Sequence, residues 1–133
     1  MAYFALGTEA SWRKAIAAFE KAGRLDPHYA AAYAQLSYTY TNLAEEFLDS
    51  APAAQANAAA RVAANTAVKL DPDSSLAHQA RALVLSRVDL NWVGTAAEAR
   101  RALQLAPNDP GAKFALADAL ATLGQVRRAV DLT

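Results

Sequence analysis

Apolar and small residues recur every three or four positions along almost the whole chain. No stretch alternates with period two in β-branched residues. The first pattern is that of helices buried on one side, and the absence of the second argues against strands. The periodicity predicts helices near residues 9–24, 28–49, 52–69, 74–88, 95–105, 109–123 and 125–132, with a remnant of an earlier helix over 2–6. The links between them are short, so consecutive helices are expected to run antiparallel as hairpins.

The punctuation of this pattern repeats. Arg24-Leu25-Asp26-Pro27, Lys69-Leu70-Asp71-Pro72 and Gln104-Leu105-Ala106-Pro107 each close one periodic stretch and precede another. Leucine offers a last core contact. Proline then stops the helix, because it has no amide hydrogen and its ring clashes with the preceding turn. The residue before it is driven out of helical geometry as well. Asp71, Asp73 or Ser74, and later Asn108 or Asp109, are the residue types that cap the helix that follows. A hairpin of this kind cannot bury its apolar side alone, whereas stacked hairpins share one continuous core. Alanine makes up roughly a quarter of the residues, which favours helix and lets helix backbones approach closely.

These phrases and their spacing resemble the tetratricopeptide repeat family, a 34-residue helical hairpin. In the second helix of that pattern, Ala15, Phe19, Ala22 and Pro27 match every position. Ala60, Ala64, Ala67 and Pro72 keep the spacing without the aromatic, and Thr95, Ala99, Ala102 and Pro107 keep it more weakly. In the first helix, Tyr33, Leu36, Ser37 and Tyr40 match closely, and Lys113, Leu116, Ala117 and Leu120 partly. His78, Arg81, Ala82 and Leu85 match least, with Arg81 in the leucine place. The resemblance implies an all-α chain, a right-handed α-solenoid of stacked antiparallel hairpins. Residues 1–133 would form one domain: the second helix of a first repeat (9–24), a lengthened repeat (28–69), a third (74–105) and a partial one (109–133). A narrower likeness is carried by Asp89-Leu90-Asn91-Trp92, Ala97-Glu98, and Leu25-Asp26-Pro27-His28-Tyr29-Ala30. These are similar to repeat regions attached to bacterial adenylate cyclases and transcriptional regulators, where the array is a sensing or docking module.

The prolines lie 45 and then 35 residues apart, so about eleven extra residues fall between Tyr40 and Ala60. That segment still reads as helix to Asp49, with Ser50 as a cap and Pro52 in the next first turn. Five or six residues added to each helix lengthen it by roughly 8 Å. Phe47 and Leu48 then sit on a protruding tip. Neither end of the chain shows a polar capping helix, which suggests an excised part of a longer protein. Exposed terminal helices, with Phe4 and Leu6 at one end and Val130 and Leu132 at the other, would then pair as a homodimer.

Charge and chemistry narrow the function by exclusion. Thirteen basic residues balance thirteen acidic ones, so there is no basic excess for a nucleic-acid backbone. No apolar run approaches a membrane span. The absence of cysteine excludes disulfides and thiolate chemistry and fits the cytoplasm. His28 and His78 are too few for a zinc site and read as surface or packing residues. Glu45, Glu46 and Asp49 read as a solvated acidic face, and Arg100-Arg101 and Arg127-Arg128 as ordinary surface pairs. No phosphate loop, nucleophile elbow or HExxH is present, so no enzyme, cofactor or metal is expected.

The resemblance also implies where a ligand sits, because the first helix of each hairpin lines a concave face. That mapping gives Ala31, Ala34, Tyr38, Thr41 and Asn42, then Leu76, Gln79, Leu83, Ser86 and Arg87, then Gly111, Phe114, Asp118, Ala121 and Thr122. The candidate groove is therefore Tyr38, Asn42, Gln79, Leu83, Arg87, Phe114 and Asp118. Its aromatics would anchor side chains of a protein or peptide partner and its amides would bond a peptide backbone. The expected function is a protein-interaction scaffold. A regulatory module of a larger bacterial signalling enzyme or transcription factor, or a self-associating structural unit, are the alternatives.

Overall fold

The computed structural model describes residues 8–131, and these form α-helices joined by short turns, with no strand among them. The helices are α1 (Glu9–Leu25), α2 (Ala30–Phe47), α3 (Ser50–Leu70), α4 (Ser75–Arg87), α5 (Trp92–Leu105) and α6 (Pro110–Asp131). Residues 2–6, Phe4, Leu6 and Leu132 lie outside the described residues.

The repeated proline phrases make one repeated turn. Asp26, Asp71 and Ala106 end α1, α3 and α5 with nearly the same backbone, φ/ψ of −138/90°, −144/86° and −142/83°. Each precedes a proline, which forbids the helical alternative. In each turn the carbonyl of that residue accepts from the amide three positions on: Tyr29 to Asp26 at 3.0 Å, Ser74 to Asp71 at 3.1 Å and Asp109 to Ala106 at 3.1 Å. Asp26 and Asp71 add a side-chain bond, accepting from the amides of His28 and Asp73 at 3.1 Å.

Side chains cap the starts of α1, α4, α5 and α6. Thr8 and Ser11 form a reciprocal capping box on α1. Ser74 caps α4 by accepting from the Ala77 amide at 3.1 Å, and Asn91 caps α5 through the Gly94 amide at 2.9 Å. On α6, Asp109 accepts from the amides of Gly111 and Ala112 at 2.9 and 3.2 Å. Between α2 and α3 the cap position falls to Asp49, without a side-chain bond, and the expected cap Ser50 instead takes a left-handed φ of 48° as the helix begins.

Helix length agrees with the sequence reading at one place and departs from it at another. Helices α2 and α3 have 18 and 21 residues against 13 and 14 for α4 and α5, so the extra residues are helical and extend that hairpin by about 7 to 10 Å. The break expected at Gly124 does not occur: α6 is continuous through it. A Cβ built there would meet nothing within 4 Å, and no proline follows to stop the helix. A lone interior glycine costs only about 1 kcal/mol, too little to end a 22-residue helix.

Each helix packs on the next, and α2 also packs on α4, α3 on α4, and α4 on α6. Helices α2, α4 and α6 therefore lie side by side, while α1, α3 and α5 flank them without packing on one another. The core is made of small side chains. Ala34, Ala60, Ala64, Ala67, Ala77, Ala80 and Val84 form its centre, with Tyr33, Tyr38, Tyr40 and Leu76 packed around them. Among the described residues Leu43 is the largest side chain that is fully buried. Such a core works only if backbones are close, and the Ser37 hydroxyl donating to the Ala60 carbonyl at 2.8 Å shows that α2 and α3 are.

Arg81, out of place against the repeat pattern, has a local explanation. Its Nε lies 3.5 Å from one Glu98 oxygen, and His78 Nδ1 lies 2.7 Å from the other. The remaining ring nitrogen of His78 is 2.6 Å from the Pro72 carbonyl. Both partners of the imidazole are acceptors, so the two bonds are complete when both ring nitrogens carry hydrogen. This polar cluster ties α4 to α5 where the pattern would have an apolar contact.

Candidate functional site

Helices α2, α4 and α6, with Thr95 of α5, form a cleft of about 190 Å³ lined by Tyr38, Gln79, Leu83, Ser86, Arg87, Thr95, Gly111, Phe114, Ala115 and Asp118. The α4 wall arises because Gln79, Leu83 and Arg87 follow one another at four-residue steps, a single row along a helix. Phe114 and Asp118 make the same step on α6. Tyr38 reaches in from α2.

The cleft thus brings together six of the seven candidate groove residues. Asn42 is not among them: it is half-buried one turn beyond Tyr38, outside the lining. Of the wider concave set, Ala34 and Thr41 are buried in the core at 0% and 1% exposure, and Ala31 lines a separate hollow with Phe19, Ala22 and Tyr29. The sequence reading missed Thr95 and Ala115 as lining residues. Thr95 carried a signal only as a small-residue position of its helix, and Ala115 only as the neighbour of Phe114.

Charge in the cleft is arranged unevenly. At one end, Gln79 hydrogen-bonds the Asp109 carboxylate, and with the Ala112 and Gly111 amides this holds that carboxyl below the usual carboxylate range. A Cβ on Gly111 would stand 2.8 Å from the Gln79 amide oxygen and 3.2 Å from Asp109, so glycine keeps this end open. Burial, and then the nearby Asp109 charge, push the Tyr38 phenol up to about 12. At the other end, the Arg87 guanidinium is bonded to Glu45 of α2. Asp118 is exposed, and none of the ion pairs among the described residues includes it. Phe114, one turn before it, is 68% exposed. Leu83 and Ala115 make the apolar part of the lining, and the Thr95 hydroxyl donates to the Asn91 carbonyl at 2.8 Å.

A second hollow, about 360 Å³, opens between α1 and α3 over Tyr33, Leu36, Tyr40 and Val62. The Tyr40 phenol is raised there by burial and by Glu20. Tyr33 and Thr66 are its other polar lining residues, and the rest of the lining is alanine, leucine and valine. Among the described residues no cluster of histidine and carboxylate side chains could hold a metal ion, and no helix is long and apolar enough to cross a membrane.

No protein-family model matches this chain, and no curated protein matches it.

Proposed function

We propose that the chain is a tetratricopeptide-type stack of helical hairpins that binds a peptide segment of a protein partner, and not an enzyme. The observation that carries this reading is the cleft: residues from four helices, among them two aromatics, an amide and two opposite charges, converge on one concave surface. Three near-identical proline turns and the side-by-side contacts of α2, α4 and α6 support the stacked-hairpin arrangement. The size of the cleft argues for a side chain as its occupant. Pockets for cofactors or small substrates run from about 300 to 1,000 Å³, whereas about 150 Å³ suffices for one aromatic ring.

The test is a fluorescence-polarisation screen of a random peptide library on the purified chain, repeated with Gln79→Ala plus Phe114→Ala. Peptides that bind the native chain and lose at least tenfold affinity for the variant support the reading. Binding untouched by both substitutions, at an unchanged melting temperature, defeats the groove assignment.

A further inference from the structure

We infer that the cleft is an arginine pocket: the partner peptide inserts a guanidinium between the Phe114 ring and the Asp118 carboxylate. This deepens the proposed peptide-binding function and rests on it.

The argument begins with charge complementarity. Four charged side chains of this chain bear on the cleft, and two of them are already matched: Arg87 is bonded to Glu45. The third, Asp109, is satisfied by Gln79 and two helix amides, yet its negative field still reaches the Tyr38 phenol. Asp118 completes the set as an exposed carboxylate with no cation of this chain in an ion pair with it among the described residues. Of the charged side chains that line the cleft, Arg87 is thus taken up and Asp118 is left as the open acceptor, in no ion pair among the described residues. A cationic group is favoured there and an anionic one is repelled.

Shape selects among cations. Phe114 and Asp118 stand at i and i+4 on α6, where side chains are neighbours some 5–6 Å apart at Cβ. A flat cation that stacks on a ring face while donating sideways to a carboxylate fits that pair, and guanidinium does both. An ammonium group is a point charge with no plane to stack. Behind the pair, Leu83 and Ala115 offer an apolar wall for the methylenes of the same side chain. Phe114, as a large aromatic with most of its surface in water, contributes little to this fold, so its exposure is explained by the contact it makes with a partner.

The experiment is a nitrogen-15 NMR titration of the whole chain with the blocked tetrapeptide acetyl-Ala-Leu-Arg-Ala-amide. Two counterparts carry citrulline or glutamate in place of the arginine. Citrulline keeps the planar shape and loses the charge. The arginine peptide is expected to shift the amides of Phe114, Asp118 and Leu83. It should bind about tenfold tighter than the citrulline peptide, the combined scale of an exposed ion pair and an exposed cation–π contact. Asp118→Asn should erase that tenfold difference, and Phe114→Leu should weaken the arginine peptide alone. Both residues are exposed, so both variants are expected to keep the native melting temperature. Equal binding of arginine and citrulline peptides, unaltered by Asp118→Asn, overturns the arginine pocket and leaves the peptide groove standing. Tighter binding of the glutamate peptide also overturns it and points to Arg87. If no peptide moves the cleft amides at any concentration, both the pocket and the groove fall.

Discussion

Replacing Glu98 by alanine removes one side chain from α5 and two contacts from α4. The His78 contact is the larger. It is 2.7 Å long, between a histidine side chain 9% exposed and a carboxylate 18% exposed, so solvent screens it weakly. A charge-assisted bond of that kind contributes about 1.5–3 kcal/mol, and its loss leaves a buried ring nitrogen without an acceptor. The Arg81 contact is 3.5 Å long and its side chain is 40% exposed, so it adds about 0.5 kcal/mol or less. The expected destabilisation is about 2–3 kcal/mol. For a chain of 133 residues the unfolding entropy near the midpoint is roughly 0.28 kcal/mol per degree, so the melting temperature should fall by about 7–11 °C. Calorimetry on the native chain, Glu98→Ala, His78→Ala and the double variant measures this and closes a cycle. A coupling of about 1.5 kcal/mol or more is expected between the two sites. Replacing His78, Arg81 and Glu98 together by leucine should recover most of the loss, because a buried polar set removed whole leaves no orphan. A Glu98→Ala shift below about 2 °C, or a coupling near zero, would refute the reasoning that this cluster fastens α4 to α5.

Three further outcomes follow from single residues. Asp109→Asn keeps a good cap but loses the charge; since the folded carboxyl lies below its ordinary 3.8, its contribution is full above that pH and is lost as pH falls through the folded value. The native chain should therefore melt higher than the variant at neutral pH, and the gap should close only in strong acid. The Tyr38 phenol is raised from 10.0 to about 12, so the stability tied to its proton is intact below pH 10 and is lost across that interval. Tyr38→Phe should fall less steeply than the native chain when melting is followed from pH 10 to 12. Leu90 holds a left-handed φ of 50° with its side chain 67% exposed, so Leu90→Gly should raise stability in urea by about 0.5–1 kcal/mol; a loss of stability shows that the leucine packs in solution.

Helix ends were legible wherever one residue acts through covalent geometry. Pro27, Pro72 and Pro107 dictate the backbone of the residue before them, and the three turns duly agree within a few degrees. Gly124 was misread because glycine only permits a break, and nothing at this point in the sequence enforces one. The row Gln79, Leu83 and Arg87 was legible through the repeat resemblance, which picks out that face of the helix, and helical spacing keeps the three residues on one side of α4. Asn42 was not, because lining a cleft depends on where α6 stands relative to α2, and no local pattern records that. Arg81 looked like a fault for the same reason. Its partner Glu98 lies on the next helix, and a sequence pattern records the conflict with the leucine position without the contact that resolves it.

Helix α4 joins the two polar features of the molecule. It packs against α2, α3, α5 and α6, and buried residues are spread along it from Ala77 to Ser86. A helix with four packed neighbours has little room to adjust its seat, and side chains that fit poorly on one side displace it toward another. The His78, Arg81 and Glu98 cluster fixes its α5 side, while Gln79, Leu83 and Arg87 form a wall of the cleft. Loosening the first should disturb the second, although Glu98 is not a lining residue. Glu98→Ala is thus expected to weaken peptide binding severalfold as well as stability, with amide shifts running along α4 to Arg87. The same substitution with binding fully retained would mean that α4 is seated by its alanines alone, and that the polar cluster serves stability without shaping the cleft.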